Sequence, residues 1–127
     1  MGVEGSILDT MKKTLGIAAD YDVFDEELKI HINSVLAVLA QVGVGPKGGF
    51  AVVDGTETWI DFLGDNPEFN NVKSLVYLRV RLLFDPPQSS HAASAMKEQA
   101  DELTWRVNAR REEDEWQLPL DVEVVDD

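Results

Sequence analysis

The glycine-rich segment Gly43-Val44-Gly45-Pro46-Lys47-Gly48 is the stretch closest to a known chemical motif. Its spacing fits G-x-G-x-x-G, in which backbone amides hold a dinucleotide pyrophosphate. That motif follows a strand and begins a helix, whereas this segment follows a predicted helix and precedes an apolar run. A helix C-terminus disfavours phosphate, and Pro46 lacks a backbone donor. We therefore expect no nucleotide cofactor and interpret the segment as a loop that docks on a partner protein.

The acidic residues and histidines give no better metal or catalytic site. Asp20, Asp22 and Asp25 suggest calcium, but that loop requires Gly at its sixth position and Glu at its twelfth. Counted from Asp20, these positions hold Asp25 and His31. His31 and His91 are far apart and lie outside any H-E-x-x-H pattern. Without cysteines there is no thiol catalysis or disulfide framework. We therefore expect that the protein has no catalytic residue, binds no metal and is not an enzyme.

The charge of the chain is concentrated at its C-terminal end. The 127 residues carry a formal net charge of −13, from 24 acidic and 11 basic residues. Residues 112–127 contain 8 acidic and no basic residues, which leaves −5 for residues 1–111. Such acidity excludes DNA or anionic-membrane binding through net charge. No apolar run approaches the roughly 20 residues needed to span a bilayer. We divide the chain into a domain, 1–111, and an acidic-apolar arm, 112–127.

The arm contains more apolar residues than a solvating tail requires. From position 118 to 124 the even positions are apolar and Asp121 and Glu123 lie between them. This alternation predicts an extended, strand-like segment with one face to bury. A frayed terminus is the alternative; otherwise the arm docks on a partner with a basic surface. The candidate binding residues are Trp116, Leu118, Leu120, Val122 and Val124.

The body reads as a small all-α, four-helix domain with one short β-like excursion. Apolar spacing and caps predict a short helix over 6–15 and longer helices over 25–42, 69–84 and about 90–111. Asp25 is the expected N-cap of the second, and Ser89 or Ser90 that of the last. Residues 57–63 predict a short helix capped by Thr56. The β-like excursion is placed at about 43–55, with a strand over 50–53 and a turn at Asp54-Gly55.

Several body residues are candidates for subunit contacts or for a channel-lining loop. Trp59 on the short helix is either a clip onto the core or an intersubunit anchor. Arg79 and Arg81 lie on a helix that is apolar over most of its circumference. They form ion pairs either within the surface of the subunit or with a neighbouring one. With these we group loop residues Gly43, Gly45, Pro46 and Phe50.

The order of several segments resembles the tailed-bacteriophage head-tail connector family, the head-completion or adaptor proteins. The similarity covers about Phe24 to Arg111. Its densest matches are residues 32–33, 41–46 and 105–106, with the helix-ending motif Phe84-Asp85-Pro86-Pro87. The glycine and phenylalanine at 49–50 and the segment 58–63 stand between them in the same order.

The resemblance implies a non-enzymatic structural protein of the virion neck. Its members form a ring beneath the portal, typically of twelve copies. The ring extends the DNA channel and presents a platform to the next head-closure or tail protein. By this resemblance, the partners are the portal protein, other copies of the chain and that downstream protein. DNA would pass through without specific binding, and no membrane is involved. The arm would grip the portal, and assembly would take place in the host cytoplasm.

A function of another class stays open at this stage. A monomeric acidic interaction module, or DNA mimic, would use its negative surface to block a nucleic-acid-binding protein. Its charge should spread over a folded face, whereas here most of it lies in the arm. Stable monomers that ignore the portal would favour this alternative.

Overall fold

The computed structural model is a bundle of helices. It describes residues 5–126, and the side chains of residues 5–108. The helices are α1 (Ile7–Thr14), α2 (Asp25–Gln41), α3 (Trp59–Leu63), α4 (Phe69–Phe84) and α5 (Ser90–Asp126). Within residues 5–126 the β-structure consists of an isolated bridge between Ser6 and Thr58. The predicted all-α class is confirmed.

Helix α4 lies at the centre of the bundle and packs against both α2 and α5. The apolar pattern of α4 predicts this central position. The buried side chains of α2 are the apolar residues whose spacing predicted that helix. On α5, Ala100 and Val107 face the core. Burying one such aliphatic side chain contributes about 1.5–3 kcal/mol. The buried residues of α4 are Val72, Leu75, Val76, Leu78 and Val80.

Helix α1 is attached to the bundle through an ion pair that sequence reasoning missed. Lys12 is 1% exposed, and its Nζ lies 2.8 Å from Asp25 Oδ1. The same ammonium donates to the carbonyl of Ala19 at 2.9 Å. The prediction of Asp25 as N-cap is wrong: Phe24 holds that position without a side-chain bond, and Asp25 is the first helical residue. Its carboxylate pairs with Lys12, so one contact joins α1, the 15–24 connection and α2.

The predicted strand over 50–53 does not form. Instead, the side chain of Asn33 on α2 pairs with the backbone of Val52. Its Nδ2 donates to the Val52 carbonyl at 3.0 Å, and its Oδ1 accepts from the Val52 N–H at 2.7 Å. One turn earlier on α2, Lys29 Nζ donates to the carbonyl of Val53 at 3.1 Å. A helix thus supplies the polar partners that a second strand would have supplied, and the backbone stays irregular.

The short helix α3 begins two residues later than predicted. Thr58, not Thr56, is the N-cap, and it forms a capping box with Asp61. The Thr56 hydroxyl instead donates to Asp54 Oδ1 at 2.7 Å. Glu57 accepts from the backbone N–H groups of Val53 and Gly55. The sequence pattern began the helix at Glu57, whereas this residue lies before α3 and its carboxylate binds the bend at residues 53–55.

Helix α5 continues through the segment predicted to be extended. It runs from Ser90 to Asp126, beyond the expected end at Arg111. The extended conformation of the arm is therefore wrong for the single chain. A period-2 pattern forms a strand only where a sheet edge accepts its backbone bonds, whereas a helix satisfies them internally. α5 crosses position 111 without a break, and the division into domain and arm stays a prediction.

Removing the buried ammonium should destabilise the bundle measurably. Lys12→Met loses the bond to Ala19 and leaves Asp25 without its partner. Asp25 is partly solvated, so we expect a loss of about 1–3 kcal/mol in the free energy of unfolding. Urea unfolding followed by circular dichroism measures it. The matched control is Lys13→Met at the exposed neighbour, expected within about 0.5 kcal/mol of the unsubstituted chain. Equal losses in both variants would contradict the role given to Lys12.

Candidate functional site

The glycine-rich loop is held against the bundle by a contact between Gly45 and Phe62. Gly45 has a φ of +94°, and a Cβ there would lie 2.5 Å from Phe62 Cε1. Phe50 packs on the same ring, with centroids 5.3 Å apart. The predicted loop residues Gly45 and Phe50 therefore meet at one aromatic side chain of α3. This contact fixes the course of the loop.

The predicted residues Gly43 and Pro46 lie on the exposed side of this loop. Gly43 has a φ of +87° and directly follows the C-cap of α2. The Pro46 carbonyl accepts from the Gly49 N–H at 2.9 Å, which closes a turn that carries exposed Lys47. The loop thus has one side packed on α3 and another open to solvent.

Trp59 lies in the core of the subunit. It is 3% exposed, and its Nε1 donates to Thr10 Oγ1 at 2.7 Å. This is the position of a clip, because it joins α3 to α1. Its neighbour Ile60 is 70% exposed. At α3, the apolar surface available to a second molecule is that of Ile60.

The two arginines of α4 have partners within the subunit. Arg79 donates to Thr104 at 2.8 Å and lies 3.3 Å from Asp101 on α5. Arg81 bonds to the carbonyl of Asp85 and to the hydroxyl of Tyr77, each at 3.3 Å. Arg79 faces α5 and Arg81 lies at the end of α4, so the two do not form one site.

The motif Phe84-Asp85-Pro86-Pro87 ends α4 as the sequence predicts. Asp85 is the C-cap, in a non-helical conformation that suits a residue before proline. The Phe84 ring contacts Phe24 edge-on, with centroids 5.3 Å apart, and lies 6.3 Å from His31. The motif therefore sets the turn from α4 to α5 and also anchors the N-terminal end of α2. His31 belongs to this packing.

An apolar groove between α2, α4 and α5 has no counterpart in the sequence predictions. Its floor includes Val35, Val38 and Leu82, with Leu83, which is 53% exposed. Lys97 lies at its edge. The spacing of residues on α2 could have indicated this groove. Positions 30, 34 and 38 are one helical turn apart and form a line outside the buried stripe. Ile30, at one end of that line, is 64% exposed.

The arm residues Trp116, Leu118, Leu120, Val122 and Val124 have side chains outside the described part of the structure. Their backbone belongs to α5. That they contact the portal stays a prediction.

Electrostatics reinforces the attachment of the 50–58 segment. Two bonds from Thr56, from its hydroxyl and its backbone N–H, hold the pKa of Asp54 below its usual range. Glu26 beside Lys29 raises the pKa of that ammonium. The stabilisation contributed by Asp54 is present above the ordinary aspartate pKa and is lost as the pH falls through the lowered pKa. The stabilisation contributed by Lys29 is lost only as the pH rises through its raised pKa. At neutral pH both groups are charged and the attachment is complete.

The described residues contain no grouping of three or more His, Asp or Glu side chains able to hold a metal ion. Across the same residues, no helix is long and apolar enough to cross a membrane. The arrangement has well-packed helices, a pinned loop and exposed apolar side chains on several elements. These features define a helical protein with apolar side chains exposed on several elements.

Comparison with known families agrees with that class. The profile of the phage connector protein family matches residues 7–114, and the chain belongs to this family. No curated protein and no solved structure matches it significantly. The family is structural rather than enzymatic, acts in the virion and interacts with other phage head and tail proteins. The predicted head-tail connector family is thereby confirmed.

The Gly45–Phe62 contact gives a direct test of how the loop is positioned. Gly45→Ala forces a Cβ onto the ring at a φ that L-residues avoid, so we expect a loss of about 2–3 kcal/mol in unfolding free energy. Gly49→Ala is the matched control, because its φ of +89° strains alanine as Gly45 does while nothing lies within 4 Å of its added Cβ. Urea unfolding of both variants measures the two changes in the free energy of unfolding. An alanine tolerated equally at the two positions would refute the contact.

Proposed function

We propose that this connector forms a closed ring beneath the portal, extends the DNA channel and joins the head to the tail. The family match over residues 7–114 carries the proposal. Twelve copies is the expected number, following the resemblance described above. The portal protein lies on one side, and a head-closure or tail protein on the other. Assembly would take place in the host cytoplasm before the ring becomes part of the virion neck.

Exposed apolar residues support subunit association. A ring is built from heterologous contacts, so each subunit needs two different complementary patches. One candidate patch is the groove of α2, α4 and α5, with Val38 and Leu83. A second comprises Val53 and Ile60, which are 71% and 70% exposed on other elements. The exposed side of the 43–55 loop, with Gly43 and Pro46, is the remaining candidate for subunit contact or channel lining.

The acidic balance of the chain suits a channel that DNA must traverse. A conduit rich in carboxylates repels phosphates, so DNA slides through without being held. The repulsion follows from the net charge of the whole chain, and no particular residue is assigned to the channel wall.

The reach of α5 supports portal binding by the arm. At 1.5 Å per residue, the 37 residues of α5 span about 55 Å and the 16 of α4 about 24 Å. Helix α5 is therefore about 30 Å longer than its main packing partner. Its distal part carries the arm, whose apolar residues would provide affinity while the acidic residues select a basic surface.

Deleting residues 113–127 tests the role of the arm. The truncated chain should remain folded, because the described core lies within residues 7–107. It should attach to the portal at least about tenfold more weakly, which corresponds to a loss of about 1.4 kcal/mol in binding free energy. Circular dichroism checks the fold, and co-sedimentation with purified portal measures attachment. A second variant keeps the length and charge of the arm and replaces Leu118, Leu120, Val122 and Val124 by serine. Unchanged portal affinity in both variants would disprove portal binding by the arm.

Native mass spectrometry with and without portal tests the ring itself. A ring on the portal is the expected product. A chain that stays monomeric, ignores portal and binds a basic DNA-binding protein would instead support the DNA-mimic alternative.

A further inference from the structure

A cleft between α1 and α4 is basic on a strongly acidic protein. Its lining includes Lys13, Lys73, Ser74 and Tyr77, together with the edge of Trp59. Thr10, Met11 and Thr14 complete it, and no aspartate or glutamate lines it. The cleft therefore presents two lysines and no carboxylate on a chain that has 24 acidic residues.

The two lysines are available for an external partner. Among the side chains of residues 5–108, Lys12, Lys29 and Lys97 have carboxylates within 4.0 Å, whereas Lys13 and Lys73 have none. Asp9, in the adjoining groove with Lys13, forms no ion pair with it. Lys73 Nζ lies 5.7 Å from the Trp59 ring centroid and 5.6 Å from that of Phe69. Aromatic rings hold this ammonium at the cleft without neutralising it.

We infer that the cleft binds the acidic run Glu112-Glu113-Asp114-Glu115 of a neighbouring copy. This run has four consecutive carboxylates and begins the acidic-apolar arm. It lies in the distal part of α5, the helix that is about 30 Å longer than α4. Opposite charges at a partly apolar cleft fix the register of two surfaces and reject other partners. This inference rests on the ring proposed above.

The composition of the arm suggests that its acidic and apolar parts contact different partners. The acidic run would bridge two copies, and the apolar residues from Trp116 onward would stay available to the portal. A contact between the cleft of one copy and the arm of the next is heterologous. It joins two different surfaces, as a closed ring requires.

Crosslinking tests the contact, because the chain has no cysteine of its own. Full-length Lys13→Cys is mixed with full-length Glu113→Cys and treated with a short bis-maleimide, with and without portal. A maleimide linker is needed because a lysine–glutamate pair holds its Cα atoms farther apart than a disulfide spans. We expect a covalent dimer joined between positions 13 and 113, mapped by mass spectrometry. His91→Cys with Glu113→Cys is the control, because His91 is exposed and lies outside the cleft and the proposed subunit patches. Equal yields from both pairs, or no dimer in either condition, would overturn the inference.

Charge exchange tests the chemistry of the same contact. Lys13→Glu with Lys73→Glu should weaken the association of copies by about tenfold, and Glu113→Lys with Glu115→Lys on the partner should restore it. Arg106→Glu, at an exposed position of α5 outside the cleft and outside the proposed subunit patches, changes the net charge as much as Lys13→Glu does and should have little effect. Lys13→Glu alone serves if the double variant does not fold. Equal loss in the control, or no rescue, contradicts the pairing.

Two further readouts separate this inference from its rivals. Anisotropy of a labelled DNA duplex asks whether the cleft binds phosphate instead; a DNA affinity that is lost with Lys13→Glu would overturn the pairing with the arm. Portal attachment of the unsubstituted chain tests the neck role independently. If the chain attaches to portal and the crosslink fails, the cleft is wrong and the neck role stands.

Discussion

The burial of α4 between α2 and α5 is the constraint on which the rest of this structure depends. Its core face is entirely aliphatic, from Val72 to Val80. The α2 side chains that meet it occupy one stripe, so the outer face of α2 is free to carry Asn33 and Lys29. These two residues hold the 50–58 segment, and α3 behind it holds the glycine-rich loop. Each attachment therefore depends on the one before it, back to the central helix.

Polar side chains, rather than backbone ladders, hold the irregular part of the molecule. Asn33 binds both backbone groups of Val52, and Glu57 binds the turn that follows. A loop attached this way can keep one side on the core and another in solvent, which a two-stranded hairpin of this length does not achieve alone. For a connector, this arrangement provides an exposed surface that is nonetheless fixed in position.

Sequence periodicity predicted the elements whose conformation depends on their own residues. The buried stripes of α2 and α4 and the proline stop after Phe84 follow from local spacing. Two of the failures share a different cause: each depends on a partner distant in the sequence. Asp25 pairs with Lys12, and Val52 pairs with Asn33. No local pattern can show that a lysine will be buried or that an amide will replace a strand.

The candidate surface was predictable only in part for the same reason. Gly45 and Phe50 were singled out from composition, but their shared contact with Phe62 required the fold. Trp59 had two interpretations from the sequence, a core clip and an intersubunit anchor, and only the fold shows that its side chain is buried. The basic cleft joins α1 to α4 across sixty residues of sequence, so neither lysine indicates it alone. The alternation in the arm has a strand-like period, yet α5 continues through it as a helix, which satisfies its backbone hydrogen bonds internally.

The central claim is that this connector assembles as a ring on the portal of its phage. Electron cryomicroscopy of portal mixed with the full-length chain tests it most directly. We predict a closed ring of helical subunits beneath the portal, coaxial with the channel, with α5 directed toward the portal. Portal particles without added density, or single subunits bound at scattered positions, would contradict it.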